Sequence, residues 1–346
     1  MAEQTLVERP TMGAAPRDAA GGPQHQTRER SYYDLSILQP PVWKNVAVGS
    51  YFFLGGLAGG AYMLARVAER FGGRDMRDVA RAGSTVALLA TLPCAPLLIE
   101  DLGDPSRFHH MLRVFKPTSP MNLGAWTLTG FGGAAAAAVF REWRRGRGSP
   151  RSSLGKFADQ SLAVVLDAAG VPLALLLTSY TGVLLSGTAN PLWTRNKWLA
   201  PLFASSAIGN GAAAIGLALE LMGKSTRFGR PTPAAEALHR IDTAAHVAEI
   251  ICLARYLTTQ GKTAKPLLSG THGAQLAGSV ASLVAAEVLK YGPARGESGR
   301  RARILGSLLN LFSGLSLKIG ILAAGKRAAN DPHLARLSSR PPSGQQ

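Results

Sequence analysis

Eight apolar stretches of about twenty residues, separated by short charged segments, constrain the fold of this chain more than any other feature. An α-helix needs about 20 apolar residues to cross the hydrocarbon core of a bilayer, where only helices and closed barrels satisfy their backbone hydrogen bonds. The stretches cover residues 45–68, 80–99, 120–140, 161–185, 198–222, 238–257, 268–289 and 302–324. The sequence therefore predicts an all-α integral membrane protein, a bundle of about eight transmembrane helices within residues 44–324.

The composition agrees with a membrane protein. Only 17% of the residues are charged, whereas soluble domains average about 25%. The net charge of +17 could indicate a nucleic-acid-binding protein. However, the Lys and Arg residues lie between the apolar stretches, as they do in membrane proteins. We therefore expect contact with membrane lipid and no contact with nucleic acid.

The two ends of the chain are polar. Residues 1–43 contain many Pro, Gly and Gln residues and are predicted to form a disordered tail, and residues 325–346 form a second polar tail. The first 40 residues lack a charged start followed by an apolar core, so we expect no cleavable signal peptide.

The distribution of Lys and Arg predicts which side of the membrane each loop faces. Segments 69–81, 141–160, 223–240 and 290–303 hold 19 of these residues, and the alternate segments 100–119, 186–197 and 258–267 hold seven. The positive-inside rule places the first set in the cytoplasm. The sixth stretch is rich in ionisable residues. We still count it as a span, because without it the basic segment 290–303 would face outward. We expect a multi-pass protein of the cell inner (cytoplasmic) membrane, with both termini and the 100–119 loop on the outer side.

The loop at residues 100–119 concentrates acidic, Arg and His side chains between two apolar stretches. Asp104 followed by Pro105 is a typical helix start. The helix would lie along the membrane surface, between the second and third spans, on an apolar face made by Phe108, Met111, Leu112 and Phe115. Thr118 or Ser119, directly before Pro120, would cap the next span. Structural roles therefore explain Asp104, Ser119 and the prolines of this loop.

Glu100 and Asp101, at the end of the second stretch, have two explanations. The two acids could simply face water. Asp101 could instead form a polar cluster with Arg107 and His109 just below the lipid headgroups. A lipid-soluble quinol must lose two protons as it gives up two electrons, and a carboxylate or an imidazole with a route to water could accept them.

Three segments carry a resemblance to a known family: YFFLGGLAGGAY at 51–62, IEDLGDPSRFHHMLRVFKPTSPMNLGAW at 99–126 and SYTGVLLSGTANPLW at 179–193. Through them the chain resembles the NrfD/polysulfide reductase membrane-subunit family over about residues 32–324. The last third is similar mainly in hydropathy, with IDTAAHVAE at 241–249 as a weaker match.

The resemblance implies a quinone-reactive membrane subunit of a multi-subunit iron–sulfur oxidoreductase. Such a subunit binds menaquinone or ubiquinone near the outer face as an exchangeable cofactor. Its implied partners are a ferredoxin-like four-cluster iron–sulfur subunit and a molybdopterin or multihaem catalytic subunit.

The candidate quinone-binding residues are polar or aromatic groups near the outer ends of the spans: Asn45, Asp101, Arg107, His109, Trp126 and Tyr180. Asp101, with Glu100 or His109, would handle protons. Arg107 and Tyr180 would orient the quinone head group. Asn45 and Trp126 are candidates because their spans begin beside the 100–119 loop.

The chain has few residues that could hold a resident redox cofactor. Its two cysteines, Cys94 and Cys252, lie inside apolar stretches and form no CxxC motif. A bis-histidine haem needs imidazoles on facing helices, yet only His239 and His246 lie well within a stretch, and both are in the sixth. We predict no haem, no iron–sulfur cluster and no metal site in this chain, so a partner must carry the electrons.

Several ionisable residues lie inside the predicted spans, where an unpaired charge is costly. Asp167 lies in the fourth stretch, and Asp242, His246 and Glu249 share one face of the sixth, at positions i, i+4 and i+7. They could form a proton path from the cytoplasm towards the quinone. They could also form a structural cluster paired with a basic residue such as Lys318. The alternative functions are therefore a proton- or ion-translocating membrane protein and a purely structural membrane anchor.

The first stretch contains two overlapping GxxxG spacings, Gly55 with Gly59 and Gly56 with Gly60. Small residues four positions apart allow a second helix to approach closely. Alternatively, the bare backbone could make room for a flat ligand ring.

Overall fold

The computed structural model describes residues 38–39, 41–73, 75–148, 152–194, 196–227, 230–292 and 296–339. The predicted N-terminal tail lies almost entirely outside these residues. The helices, in chain order, are α1 (Asn45–Phe71), α2 (Arg77–Thr91), α3 (Cys94–Glu100), α4 (His110–Arg113), α5 (Pro120–Gly146), α6 (Ser153–Val165), α7 (Val171–Ser186), α8 (Leu199–Leu221), α9 (Pro233–Gln260), α10 (Lys265–Leu268), α11 (Gly270–Tyr291), α12 (Gly296–Ala329) and α13 (Pro332–Ser339). One small antiparallel hairpin, β1 (Thr226–Arg227) with β2 (Arg230–Pro231), joins α8 to α9. The all-helical class predicted from the sequence is confirmed.

Six helical segments among the described residues are long and apolar enough to cross a membrane: Asn45–Phe71, Arg77–Glu100, Pro120–Gly146, Ser153–Ser186, Leu199–Leu221 and Gly296–Ala329. The other two predicted spans correspond to α9 and α11, which have 28 and 22 residues but are too polar to meet the same criterion. A multi-pass membrane protein is therefore confirmed, and the count of eight spans stays a prediction.

Two of the spans are interrupted where a proline removes a backbone donor. The second span breaks at Leu92 and Pro93, between α2 and α3, because Pro93 has no N–H for the preceding turn. The fourth span contains a π-helical turn at Leu166–Gly170, directly before Pro172. The Tyr62 hydroxyl donates a hydrogen bond to the Leu166 carbonyl at this turn, over 3.1 Å. The break in the fourth span therefore keeps a partner for a backbone group at the turn.

Helix α1 lies at the centre of the bundle and uses its glycines for close packing. A Cβ atom at Gly59 would lie 2.7 Å from the carbonyl oxygen of Ala174 in α7, and a Cβ atom at Gly60 would clash with the backbone of Ala207 in α8. The GxxxG spacings therefore bring backbones together, which is the packing role considered from the sequence. Successive spans cross the bundle in opposite directions. At one end of the bundle lie the starts of α1, α5, α8 and α11 together with the ends of α3, α7, α9 and α12.

The connection between α7 and α8 docks against the end of α12. The Trp193 indole N–H donates to the Ile321 carbonyl over 3.1 Å, and the Asn190 amide donates to the Gly325 carbonyl over 2.8 Å. Trp43 stacks on Trp193 with ring centroids 6.3 Å apart. These contacts explain why α12 continues to Ala329, past residue 324 where the last span was predicted to end.

The 100–119 loop contains two short helical turns where one surface helix was predicted: a 3₁₀ turn at Pro105–Arg107 and then α4. The Asp104 carboxylate caps the first turn, accepting from the Ser106 N–H over 3.1 Å. Asn122, in the first turn of α5, holds the loop. Its side chain accepts from the Lys116 N–H over 2.7 Å and donates to the carbonyls of Met111 and Val114 over 2.6 and 2.8 Å.

We predict that Gly60→Ala destabilises the bundle by about 1–3 kcal/mol, because overpacking at a helix contact forces the backbones apart. Gly55→Ala is the matched control, since its added Cβ would meet only side chains at ordinary contact distances, Leu177 at 3.6 Å and Tyr51 at 3.9 Å. Thermal unfolding of the purified protein in detergent measures the difference. Equal midpoints for the two variants would contradict the packing role of Gly60.

We predict that Asn122→Ala makes the 100–119 loop more sensitive to trypsin. Each lost hydrogen bond is worth about 1 kcal/mol, so cleavage at Arg107 and Arg113 should become at least about fivefold faster. Ser119→Ala is the control, because Ser119 precedes α5 without making a side-chain capping bond. Equal cleavage rates for both variants would show that Asn122 does not hold the loop.

Candidate functional site

Glu100 and Asp101 tie the end of α3 to the start of α1. The Asp101 carboxylate accepts a hydrogen bond from the Lys44 backbone N–H over 2.7 Å. The Lys44 ammonium donates to the Glu100 carbonyl over 3.1 Å and pairs with the Glu100 carboxylate over 3.3 Å. The Glu100 side chain remains 58% exposed, so this ion pair is solvated and worth little by itself. Asp101 is the more firmly held of the two acids, because it caps a helix.

Asn45, the first residue of α1, has a side-chain oxygen that is buried without a hydrogen-bond partner in the part of the chain that the structure describes. Buried polar atoms are normally satisfied, so each exception needs an explanation. The orientation of an amide is an assignment, so either its oxygen or its nitrogen can face the free position. Asn45 follows Lys44 directly and therefore lies beside the carboxylate of Asp101.

Tyr180 packs against the start of α5, and Trp126 belongs to the second turn of that helix. Tyr180 is 6% exposed, its hydroxyl donates to the Pro120 carbonyl, and its ring packs on the bare backbone of Gly124. Trp126 meets Phe115 edge to face, with ring centroids 6.0 Å apart. The Tyr180 hydroxyl therefore already has one partner, and Trp126 connects the 100–119 loop to the bundle.

Arg107 and His109 are exposed on the loop. The Arg107 guanidinium pairs with the Asp104 carboxylate over 3.0 Å. The His109 ring contacts the rings of Phe108 and His110. The structure thus brings Asn45 and Glu100 next to Asp101. Arg107 contacts Asp104, and His109 contacts Phe108 and His110, so neither joins the polar cluster with Asp101 that was considered from the sequence.

A second group of polar side chains lies between α9, α11 and α12. We call Asp242, His246, Glu287, Lys290 and Asn310 the carboxylate–histidine cluster. The Lys290 ammonium pairs with the Asp242 carboxylate, and the Asn310 amide donates to the same carboxylate over 3.1 Å. The His246 Nδ1 atom lies 2.8 Å from the Glu287 carboxylate. The three residues of α9 predicted to share one face, Asp242, His246 and Glu249, are all buried.

Sequence reasoning missed Glu287, Lys290 and Asn310. The Lys290 ammonium lies 3.7 Å from the Glu287 carboxylate. The two residues are three positions apart, about one helical turn, and this separation can be read from the sequence. No sequence pattern, however, shows that this turn of α11 faces Asp242 rather than water.

A cavity of about 960 Å³ opens at the end of the bundle opposite to Asp101. Its apolar wall includes Ala212, Leu219 and Leu238, and its polar floor includes Asp242 and Lys290. Liquid water occupies about 30 Å³ per molecule, and polar cavities of this kind hold water. The cavity therefore gives the carboxylate–histidine cluster a route to the solvent.

Two arginines that line this cavity bind Glu220. The Arg303 guanidinium pairs with the Glu220 carboxylate, and the Arg300 guanidinium donates to the Glu220 carbonyl over 3.0 Å. That carbonyl belongs to the last turn of α8, where helices carry free acceptors and a partial negative charge. The basic start of α12 is thus fixed against the end of α8.

Deeper in the bundle, Glu249 and Lys318 form a polar group that is separate from the carboxylate–histidine cluster. The Lys318 side chain is 1% exposed, and its ammonium donates to the Ser206 hydroxyl over 3.0 Å. Glu249 interacts with the same hydroxyl and with the Lys318 charge. A small cavity of about 10 Å³ touches Glu249, Ser279 and Ser313, which is close to the space that one water needs. Polar groups therefore extend from the large cavity to the middle of the bundle.

Asp167 belongs to a separate network at the cavity end of α1, α5 and α6. Its carboxylate pairs with Arg66 over 2.8 Å. Arg66 also pairs with Glu69, which in turn pairs with Arg141 and Arg145. Arg141 is 3% exposed and also pairs with Asp159 of α6. These pairs hold α1, α5 and α6 together, which is a structural role for the network that includes Asp167.

The comparisons with known proteins agree with this architecture. The model of the family described as "Polysulphide reductase, NrfD" matches residues 36–328. A search of curated proteins found no match. The family match covers the whole described helical bundle up to the end of α12, including both polar groups. The chain belongs to the NrfD family, whose members are membrane subunits of oxidoreductase complexes.

Proposed function

We propose that this chain is the quinone-reactive subunit of an iron–sulfur oxidoreductase complex in the cell inner membrane. It would bind menaquinol or ubiquinol at the Asp101 end, on the outer side. It would exchange electrons with a ferredoxin-like four-cluster iron–sulfur subunit, which serves a molybdopterin or multihaem catalytic subunit. The match to the NrfD family over residues 36–328 carries this proposal.

The unpartnered side-chain oxygen of Asn45 suits a quinol head group. A quinol hydroxyl donates hydrogen bonds, and the Asn45 oxygen is buried without a partner among the described residues, so it can accept one. Asp101 is adjacent and can accept a proton, because its ionised carboxylate uses only part of its acceptor capacity on the Lys44 N–H. Tyr180 and Trp126 would line the α5 side of the same region.

A bound quinol supplies two electrons and two protons when it is oxidised. Asp101 would take a proton from it, and Glu100, which is 58% exposed, would release protons to water. His109 is exposed, and its imidazole would share that task. Arg107 could orient the head group only after its ion pair with Asp104 breaks.

We expect that Asp101→Asn abolishes quinol oxidation while the complex still assembles. The amide oxygen of Asn can accept from the Lys44 N–H as the carboxylate does, but it cannot carry a proton. Quinol-dependent turnover of membranes that contain the assembled complex is the measurement. Asp104→Asn is the control, because it keeps its cap on the neighbouring turn. Unchanged turnover in Asp101→Asn would refute the role of this residue.

An inhibitor that mimics the quinone head group distinguishes the proposed quinone-reactive subunit from the two alternatives, a translocating protein and a structural anchor. Displacement of bound quinone by the inhibitor supports the proposal. A purely structural anchor, or a translocating protein without a quinone site, would retain no quinone that the inhibitor could displace.

We also propose that the buried polar groups conduct protons from the cytoplasmic side. The large cavity opens at the end that the positive-inside rule places in the cytoplasm. Asp242 lies in its floor, His246 and Glu249 follow on the same face of α9, and Lys318 lies beyond them. Buried ionisable residues in a membrane protein typically mark such paths. Asp167 remains a candidate only if its pair with Arg66 opens.

We expect Glu249→Gln to lower the number of protons taken up per electron from the inner side. The measurement uses the purified complex in liposomes, with quinone reduction as the driving reaction, because a quinone takes up two protons as it accepts two electrons. Glu236→Gln is the control, since Glu236 is an exposed acid at the cavity wall on the same helix. An unchanged proton-to-electron ratio in Glu249→Gln would leave this polar chain with a structural role.

A further inference from the structure

We propose that the carboxylate–histidine cluster is also a binding site for a divalent transition-metal ion such as Zn²⁺. The ion would enter through the large cavity and replace the Lys290 ammonium. This goes beyond the proposed function and departs from the sequence-based expectation of no metal site.

The donor set suits such an ion. Asp242, His246 and Glu287 each offer one ligand atom, and these atoms all lie within 4.8 Å of one another. Zn²⁺ binds imidazole nitrogen and carboxylate oxygen at about 2.0–2.2 Å, so two of its ligand atoms are at most about 4.2 Å apart. Small side-chain movements would therefore close the three donors around one ion.

His246 provides an observation independent of the acidic groups. Its ring is 2% exposed, and its Nε2 atom is buried without a hydrogen-bond partner among the described residues. The same atom lies 3.3 Å from the Asp242 carboxylate. A buried ring nitrogen that makes no hydrogen bond and lies next to a carboxylate oxygen is arranged as a metal ligand would be, because imidazole and carboxylate bind Zn²⁺ side by side.

The charges favour the exchange. The carboxylates of Asp242 and Glu287 face the single ammonium of Lys290, and the Glu287 carboxylate also contacts the His246 ring. A divalent ion in the position of the ammonium balances both carboxylates. Burying an uncompensated charge is costly, so this balance stabilises the metal-bound form.

The cavity makes the exchange sterically feasible. Lys290 lines the cavity, and its long, flexible side chain can swing into it and keep its charge in water. Water in the cavity can then complete the coordination, as in zinc sites with three protein ligands. Bound metal would hold Asp242 and His246 together and stop them from carrying protons.

The test is a calorimetric Zn²⁺ titration of the purified full-length protein after treatment with a chelator. We expect one saturable site. His246→Ala and Glu287→Gln should each weaken binding by at least about tenfold, which corresponds to about 1.4 kcal/mol. Glu236→Gln is the matched control, because it removes a carboxylate of α9 that lines the same cavity but is not among the three donors, and its affinity should be unchanged.

Lys290→Met keeps the proposal testable if the other variants fold poorly. This variant removes the competing ammonium, so it should bind Zn²⁺ more tightly than the unaltered protein, a gain that misfolding cannot imitate. The proposal is overturned if no saturable site appears, if His246→Ala binds as well as the unaltered protein, or if Lys290→Met does not tighten binding. Because no turnover is measured, these outcomes are independent of the quinone assays.

Discussion

The pairing of buried charges within the bundle is the constraint on which the rest of the structure depends. Lys318, Arg66 and Arg141 are each 5% exposed or less, and an unpaired charge at such a depth would cost several kcal/mol. Each has partners on other helices, so the charges specify which helix faces must meet. Apolar packing alone would leave the rotation of each helix about its axis weakly defined, because lipid and helix surfaces are similarly apolar.

The glycines of α1 make this pairing geometrically possible. Because Gly56 and Gly60 lie against Ala207, the backbones of α1 and α8 approach closely, and Ser206 of α8 comes within hydrogen-bonding distance of the Lys318 ammonium. A bulkier contact between α1 and α8 would separate these groups. The close backbone packing in the centre therefore supports the polar groups on which the proposed proton path depends.

The two ends of the bundle are built differently, in keeping with the two tasks proposed for them. At the Asp101 end, helix starts are held by short hydrogen bonds, and one buried amide is left free. At the other end, a large cavity with a charged floor gives water access to the cluster of Asp242 and His246. Quinone chemistry requires a defined binding corner, whereas proton entry requires hydrated, ionisable groups. The polar groups around Glu249 and Lys318 lie between these ends.

The sequence by itself determined the membrane class, the positions of the helices, the cap at Asp104 and the shared face of Asp242, His246 and Glu249, because these depend on local spacing and helical periodicity. It also identified the packing role of the α1 glycines as one of two alternatives. Only the tertiary structure decided that Asp101 caps α1, that Asn122 holds the loop, and that Glu287, Lys290 and Asn310 complete the cluster. The cluster partners are 41 to 68 positions away from the α9 residues that they contact, and Asp101 is 57 positions from Lys44. Asn122 bonds residues only 6 to 11 positions away, but these lie in an irregular loop without periodicity. Which helix faces meet across such separations depends on how the whole bundle packs, and local sequence patterns carry no record of it.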